Sequence, residues 1–183
     1  MILGISGTFS SGKDTLAAHL SELYAVPIVN TGDIVRSEAL ARFNSTERPI
    51  LHEVATELRK QFGGAVLVER ALEDVKNGNL IITGIRSMGE VKKVIERGGI
   101  IIFIDAPVGL RFERMKQRNR DQETTISLEE FIARENTERT SGTKDEDFNI
   151  DAIEKIAQIK LINLLDQAAL FAEAEKQLKK RIQ

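Results

Sequence analysis

Five short and nearly continuous apolar runs recur along the chain, with polar stretches between them. They are residues 2–6 (ILGIS), 27–30 (PIVN), 80–84 (LIITG), 100–104 (IIIFI) and 159–163 (IKLIN). Runs of this kind, rich in β-branched side chains, are typical of strands that are buried on both faces in a parallel sheet. The pattern therefore predicts five parallel strands.

The segments between these runs space their apolar residues as amphipathic helices do. Leu16, Leu20 and Leu23, for example, share one face of the first such segment. The predicted helices are residues 14–23, 47–62, 66–76, 88–97, 108–118 and 166–182. Because strands that alternate with helices build right-handed βαβ units, we expect a three-layer α/β fold.

Residues 119–150 break this alternation. The segment is polar and has almost no strand pattern. A long connection of this composition is expected outside the sheet, so we predict a mobile lid there. The chain of 183 residues is otherwise the length of a single domain.

The composition excludes several classes of protein. Hydrophobic residues make up 42% and charged residues 30%, the net charge is −2, and cysteine is absent. There is no basic excess for nucleic acid, no thiolate for a metal or disulfide, and no apolar run of about 18 residues for a membrane span. His19 and His52 belong to no metal-ligand pattern in the sequence, and we expect them to be structural or surface residues. We expect a soluble, cytoplasmic protein.

A glycine-rich motif, GTFSSGK at residues 7–13, lies between the first predicted strand and the first predicted helix. This is the context of a G-x-x-x-x-G-K phosphate loop, in which glycines turn the backbone so that amides and the helix N-terminus face phosphate oxygens. Lys13 adds a full positive charge. The alternative is a simple Gly/Ser turn. The predicted nucleotide-binding residues are Gly7, Thr8, Ser10, Ser11, Gly12, Lys13, Asp14 and Thr15.

The residue at position 14 indicates which class of phosphate-loop protein this sequence resembles. Asp14 stands where the motif expects Ser or Thr, and the hydroxyl follows at Thr15. With no N-K-x-D guanine signature in the sequence, a GTPase is disfavoured. The pattern G-K-x-T resembles the nucleotide kinases of the adenylate kinase family. That resemblance implies ATP and Mg²⁺, with the metal held largely through water by Thr15 and Asp33.

The second predicted strand leads into T-G-D-x-x-R, residues 31–36, at the strand end where ligands collect in open α/β sheets. This segment resembles the acceptor-binding segment of the nucleoside monophosphate kinases. The likeness implies that Thr31, Gly32, Asp33 and Arg36 bind the acceptor, within acceptor-binding helices at about residues 31–78. The alternative is a helix start, with Thr31 or Asp33 as the N-cap and Arg36 as a surface charge.

The third predicted strand is followed by Gly84 and Arg86, which resemble the D-G-x-x-R turn of the same kinases. By that likeness Arg86 is a second clamp on the acceptor phosphate. Thr83 stands where an Asp is usual, so metal binding has to depend on Asp33, Asp14 or Asp105.

Two further segments, GIRSMGEV at 84–91 and ELRKQFG at 57–63, resemble archaeal adenylate-kinase-like proteins that are related to dephospho-CoA kinase. Arg59, in the second of these segments, is expected on a solvated helix face rather than at the acceptor.

Residues 103–120 resemble the strand, helix and lid start of nucleotide kinases and of dephospho-CoA kinase. The likeness implies that Arg114 and Arg118 stack on adenine and touch phosphate, that Arg120 and Arg134 close from the lid, and that Asn163 lies near the adenine. The alternative is a charged helix surface, because Arg111, Arg114 and Arg118 follow i, i+3, i+4 spacing.

Together these features predict an ATP-dependent kinase that transfers the γ-phosphoryl group to a small acceptor, with a nucleoside or deoxynucleoside monophosphate expected. The predicted catalytic cations are Lys13, Arg86, Arg118, Arg120 and Arg134. Phosphorylation of a hydroxyl, as in dephospho-CoA, is one alternative and would need a base such as Asp14 or Asp33. A nucleotide-binding ATPase or regulatory protein without an acceptor is another.

Overall fold

The computed structural model describes residues 1–73, 75, 78–118, 126–139, 142–164 and 166–182. In chain order the elements are β1 (Ile2–Gly7), α1 (Lys13–Tyr24), β2 (Ile28–Asn30), α2 (Thr31–Phe43), α3 (Arg48–Phe62), α4 (Val66–Glu73), β3 (Leu80–Thr83), α5 (Met88–Glu96), β4 (Ile100–Asp105), α6 (Val108–Arg118), α7 (Leu128–Arg139), α8 (Ile150–Ile156), β5 (Ile159–Ile162) and α9 (Gln167–Lys179).

The described residues form one sheet of five parallel strands in the order β2-β3-β1-β4-β5. The register places Gly4 of β1 between Ile82 of β3 and Ile101 of β4. Since β1 is the central strand, the loop that follows it lies in the middle of the carboxyl edge of the sheet. The prediction of a parallel α/β sheet is confirmed.

The central strands send alternate side chains into two apolar cores. On one face Ile5, Ile81 and Ile102 pack with residues of α1 and α9. On the other face Ile82, Ile101 and Phe103 pack with residues of α4, α5 and α8. This alternation produces the three layers that the sequence pattern predicts, because the central strands are covered by helices above and below.

The two edge strands are less buried than their apolar sequences predict. In β5, Ile159 and Leu161 lie in the first core, whereas Ile162 on the opposite face is 69% exposed. In β2, Ile28 is also exposed. The prediction of burial on both faces is therefore wrong for β2 and β5, the two edge strands of the sheet.

The helix that follows β2 begins differently from the sequence interpretation. Asn30 is the N-cap of α2, and its side chain accepts a hydrogen bond of 2.8 Å from the Gly32 amide. The N-cap is thus neither Thr31 nor Asp33. Within the described residues, none of the helices combines the length and the apolar character that a bilayer crossing requires.

The predicted lid at 119–150 is described in part, and residues 119–125 lie outside the described residues. Its described portion contains α7, which packs on α6 through Phe112, Met115, Ile126 and Phe131. The last residue of the predicted lid is the first residue of α8. A hydrophobic cluster therefore anchors α7 beside the phosphate loop.

Candidate active site

The phosphate loop, residues 7–13, turns sharply between β1 and α1. Gly7 has φ +148° and Gly12 has φ +100°, and Ser10 also lies in the left-handed region with φ +55°. A Cβ at Gly7 would lie 2.0 Å from the carbonyl oxygen of Ile104, which is backbone and has no room to move aside. Only glycine therefore fits where the loop leaves β1.

Hydrogen bonds fix this loop to the ends of neighbouring strands. The Thr8 hydroxyl donates to Oδ1 of Asp105, the last residue of β4, at 2.6 Å. Asn163, just after β5, donates from Nδ2 to the carbonyl oxygen of Ser11 at 2.8 Å. The loop is held by its own backbone and by buried neighbours, so its shape exists before any ligand binds.

The side chain of Lys13, the last residue of the phosphate loop, turns back toward the start of the loop. Its Nζ donates to the carbonyl oxygens of Gly7 at 3.1 Å and Thr8 at 2.5 Å. Burial, and then the nearby charge of Arg86, lowers the pKa of the Lys13 ammonium to about 7. A phosphate beside this ammonium would restore its affinity for the proton. Asp14 and Thr15 are exposed on the first turn of α1.

Arg86 faces Lys13 across a pocket that is lined by Lys13, Gly84, Arg86, Glu135 and Arg139 among others. Burial, followed by the charges of Arg48 and Arg59, lowers the pKa of Arg86 to about 10. Cations that lower one another's pKa mark a site of positive potential, which favours an anionic ligand. The structure thus brings together Lys13 and Arg86, which the sequence assigns to ATP and to the acceptor.

The T-G-D-x-x-R segment lies beside the same strand end. The Thr31 hydroxyl donates to the carbonyl oxygen of Gly84 at 2.8 Å, two residues before Arg86. Asp33 accepts a hydrogen bond of 3.1 Å from Nε of Arg36, and both side chains are at least partly exposed. The predicted acceptor residues 31–36 are therefore next to the turn that carries Arg86.

Arg59 is buried, and the expectation of a solvated helix face is wrong. It forms an ion pair with Glu90, with Nη2 and Oε1 2.8 Å apart and both side chains almost fully buried. The second carboxylate oxygen of Glu90 accepts the backbone N–H of Arg86 at 2.7 Å. Ser87 and Glu90 also form the capping box of α5, which the S-x-x-E spacing could have predicted.

Arg111 is also buried, so the alternative of a charged helix surface is wrong for this residue. It donates to the carbonyl oxygen of Ala106 at 2.7 Å and to Oε1 of Glu135 at 2.5 Å. The same Glu135 oxygen accepts the backbone N–H of Phe9 at 3.4 Å. Sequence reasoning missed Glu135, which joins α6, α7 and the phosphate loop. No local pattern distinguishes its carboxylate from those exposed on α7.

The other predicted arginines occupy different surroundings. Arg114 donates to Oδ1 of Asn163 at 3.2 Å, which places both beneath the phosphate loop. Arg118 is exposed but close enough to Lys13 to contribute to its lowered pKa. Arg134 is exposed on α7, whereas Arg139, one turn further along, lines the pocket. Arg120 lies outside the described residues.

The residues present fit a Mg²⁺ ion that arrives with the nucleotide. Thr83, at the position where related kinases have Asp, is buried, and its hydroxyl has no hydrogen-bond partner in the described part of the chain. That same part contains no cluster of three or more His, Cys, Asp or Glu side chains. Mg²⁺ commonly keeps several waters and binds substrate phosphates with few protein ligands. Thr15 and Asp33 remain the predicted residues to contact it through water.

Comparison with known proteins places this site in a family. Residues 3–132 match the family described as AAA domain. The UPF0200/UPF0201 protein of Archaeoglobus fulgidus is 32% identical over 179 residues, which cover 87% of this chain. This chain spans 55% of that longer relative. The UPF0200 protein of Hyperthermus butylicus is 30% identical over 183 residues, covering 97% of this chain and 93% of the relative. The chain therefore belongs to the AAA domain family and is related to the UPF0200 proteins.

A solved structure of another protein has a similar fold. The shikimate kinase of Aquifex aeolicus superposes with a TM-score of 0.58 and 20% identity, covering 100% of this chain and 98% of the other. At this identity the likeness concerns the fold. The chain thus shares the fold of this shikimate kinase.

Proposed function

We propose that this protein is an ATP-dependent phosphotransferase that transfers the γ-phosphoryl group to the phosphate of a small acceptor, a nucleoside or deoxynucleoside monophosphate. The observation that carries the proposal is the placement of Lys13 and Arg86 on one pocket, each with a pKa lowered by burial and by other cations. Such a pocket stabilises a polyanion more than any neutral ligand.

The phosphate loop would bind the triphosphate of ATP. Its backbone turns at Gly7 and Gly12, and the N-terminus of α1 adds partial positive charge. On binding, Lys13 would exchange its bonds with the Gly7 and Thr8 carbonyls for β- and γ-phosphate oxygens. Bound Mg²⁺ would neutralise charge between those phosphates.

The acceptor side favours a phosphate over a hydroxyl. A hydroxyl acceptor needs a general base to remove its proton, whereas a phosphate oxyanion does not. Of the two candidate bases, Asp33 already has Oδ1 occupied by Arg36, and Asp14 is exposed on α1. Arg36 and Arg86 would instead hold the acceptor phosphate in line with the γ-phosphate.

Cations around the transferring group would complete the site. Phosphoryl transfer spreads negative charge over three oxygens, and catalysis depends on positive groups and the exclusion of water. Arg118 lies close enough to act on Lys13, while Arg120 and Arg134 stay predictions for a closed state. The buried Arg111–Glu135 pair would position α7, which contacts the loop.

A nucleotide-binding ATPase or regulatory protein is the second candidate, and Thr83 is the observation that favours it. A hydroxyl cannot replace the charge of the usual Asp at this position, which weakens metal organisation at the end of β3. This alternative predicts ATP binding and slow hydrolysis that no acceptor accelerates. Phosphorylation of a hydroxyl on a dephospho-CoA-like acceptor is tested by the same assay.

The test is ADP release from ATP and Mg²⁺ in the presence of a panel of acceptors. The panel contains ribo- and deoxynucleoside monophosphates, dephospho-CoA and shikimate, and each is compared with a reaction lacking acceptor. We expect acceptor-dependent ADP release with a nucleoside monophosphate, and its loss in Lys13→Ala.

Lys144→Ala is the matched control, because Lys144 is exposed and far along the chain from the loop. It should retain wild-type rates. ADP release that no acceptor increases would contradict the kinase proposal, and a preference for dephospho-CoA would replace the phosphate acceptor by a hydroxyl.

A further inference from the structure

Phe9, in the middle of the phosphate loop, carries two arginines from different elements on its ring. The guanidinium carbon of Arg48, the first residue of α3, lies 4.4 Å from the ring centroid, and that of Arg86 lies 5.5 Å away. The loop motif leaves position 9 unspecified, and the sequence motifs do not include Arg48. The structure thus joins the acceptor segment to the phosphate loop through an aromatic side chain.

The Phe9 ring is held in place from its other side. It packs against Phe131 of α7, with ring centroids 6.2 Å apart. The Phe9 amide donates to Glu135, and its carbonyl oxygen accepts from Arg111 at 3.4 Å. Backbone and side chain are both fixed, so the ring is a rigid support for the two guanidinium groups.

Contact with an aromatic ring involves the face of an arginine and not its hydrogen-bonding edge. A guanidinium meets a ring through its flat face, and its five N–H donors point outward in the plane. Those donors match a phosphate group in a bidentate arrangement. A guanidinium supported in this way is oriented before the phosphate arrives, which reduces the entropy lost on binding.

The charge around Arg86 supports the same conclusion. Besides burial, the positive charges of Arg48, Arg59 and Arg36 lower the pKa of Arg86, whereas the charge of Glu90 raises it. Glu90 is itself engaged by Arg59 and by two backbone amides. A dianion beside Arg86 would interact favourably with the positive charges that lower the pKa of Arg86.

We propose that Arg48 binds the phosphate group of the acceptor together with Arg86, and that Phe9 is the positioning residue that orients both arginines. The ligand chemistry is a phosphate monoester dianion. This inference rests on the proposed function for the location of the acceptor, but it concerns anion binding and can be tested without turnover.

The binding test uses Lys13→Ala protein, in which the ATP side is weakened. Inorganic phosphate is titrated, and the rise in Tm is compared with that in sodium chloride of equal ionic strength. Losing charge-assisted hydrogen bonds should weaken phosphate binding about tenfold to a hundredfold when Arg48→Gln is added. Arg42→Gln is the control, because Arg42 forms partly exposed ion pairs with Glu38 and Glu57 away from Phe9.

Variants of Phe9 separate positioning from simple charge. Phe9→Tyr keeps a ring and should retain the phosphate-induced rise in Tm, whereas Phe9→Leu removes the flat support and should lose most of it. Circular dichroism of each variant establishes that it is folded. In a turnover assay, the Arg48→Gln substitution should raise KM for the acceptor about tenfold and leave KM for ATP nearly unchanged.

Two results would overturn the inference. One is a phosphate-induced rise in Tm that is as large in folded Arg48→Gln as in the Lys13→Ala parent. The other is the absence of any phosphate-specific rise in the parent itself. Failure of the kinase proposal gives a different result, namely phosphate binding that depends on Arg48 without acceptor-dependent ADP release.

Discussion

The phosphate loop and the acceptor segment, residues 31–78, are built in different ways. The loop is shaped by glycine backbone and by hydrogen bonds to strand ends, such as those from Thr8 to Asp105 and from Asn163 to Ser11. The acceptor segment has its own apolar core, which includes Val35, Val54, Leu58 and Leu67. Its described part presents Arg36 from the second turn of α2 and Arg48 from the first residue of α3.

The difference concerns which parts of the site can vary. Substitutions in the loop disturb the central strands, because Gly7 lies against β4. Arg36 and Arg48 of the acceptor segment are side chains on helices and can be exchanged without moving the sheet. A fold of this kind keeps the triphosphate site constant while the acceptor site changes.

The largest effect is expected from Gly7→Ala, which changes the first residue of the phosphate loop. The new Cβ would overlap the carbonyl oxygen of Ile104, and φ +148° disfavours any side chain. We expect a loss of about 3–5 kcal/mol in the free energy of unfolding and no measurable ATP binding. Urea denaturation and ATP titration measure the two.

Gly109→Ala is the control for this substitution, since nothing lies within 4 Å of a Cβ at Gly109 in α6. It should be neutral or slightly stabilising, because Ala favours a helix more than Gly does. Normal ATP binding by Gly7→Ala would show that the loop is not held against β4 as described.

The next largest effect is expected from Glu90→Gln, on the acceptor side. Glu90 pairs with the buried Arg59 and accepts the Arg86 amide. Removing the charge leaves Arg59 buried without its counter-ion, which should lower the free energy of unfolding by about 3 kcal/mol. KM for the acceptor should rise, while ATP affinity measured by titration changes little.

Glu96→Gln serves as the comparison for Glu90→Gln, because the ion pair of Glu96 with Lys93 lies at the surface. The Glu96→Gln variant should have the same free energy of unfolding as the wild type when both are measured by urea denaturation. An equal loss of ATP and acceptor binding in Glu90→Gln would mean that the two regions are not separable.

A smaller effect is expected from Asn163→Ala, which removes one hydrogen bond from the loop. The Ser11 carbonyl loses its partner, and Arg114 loses its contact with Oδ1. ATP affinity should fall by about 1 kcal/mol, roughly fivefold, with acceptor binding unchanged. Calorimetric titration measures this, and Asn136→Ala, at an exposed position of α7, is the control. Unchanged ATP affinity would remove Asn163 from the nucleotide site.

The smallest expected effect is the uptake of protons by Lys13 when ATP binds. Because the pKa of Lys13 is lowered to about 7, the ligand-free protein is partly deprotonated there at neutral pH. ATP should raise this pKa, so binding at pH 7 should take up about half a proton, detected as a dependence of the binding enthalpy on the buffer. Lys13→Met should abolish the uptake. Binding without proton uptake would contradict the placement of Lys13 against the triphosphate.

The same shift has a consequence for stability. Between pH 7 and the usual pKa of lysine, 10.5, the unfolded chain holds a proton at Lys13 that the folded protein has lost. The contribution of this group to stability therefore rises with pH across that window, because the unfolded state binds more protons. Lys13→Met should flatten the rise when urea midpoints are compared from pH 7 to pH 10.

The sequence predicted the elements that depend on local pattern. The strands, the phosphate loop and the limits of α6 follow from runs of apolar residues and from glycine spacing. A solvated helix face is the expectation for Arg59 and the alternative interpretation for Arg111, because a charged residue on an amphipathic pattern is usually solvated. Both are buried, since carboxylates distant in sequence, Glu90 and Glu135, neutralise them in the folded state.

The order of apolar runs and the motif at residues 7–13 determine a parallel sheet with a phosphate loop at its centre, because backbone geometry and periodic burial are encoded locally. The tertiary structure decided which arginines meet at that loop. Arg48 and Arg86 reach the Phe9 ring from helix α3 and from the turn after β3. Contacts between such distant positions depend on how helices pack on the sheet, and no short stretch of sequence contains that information.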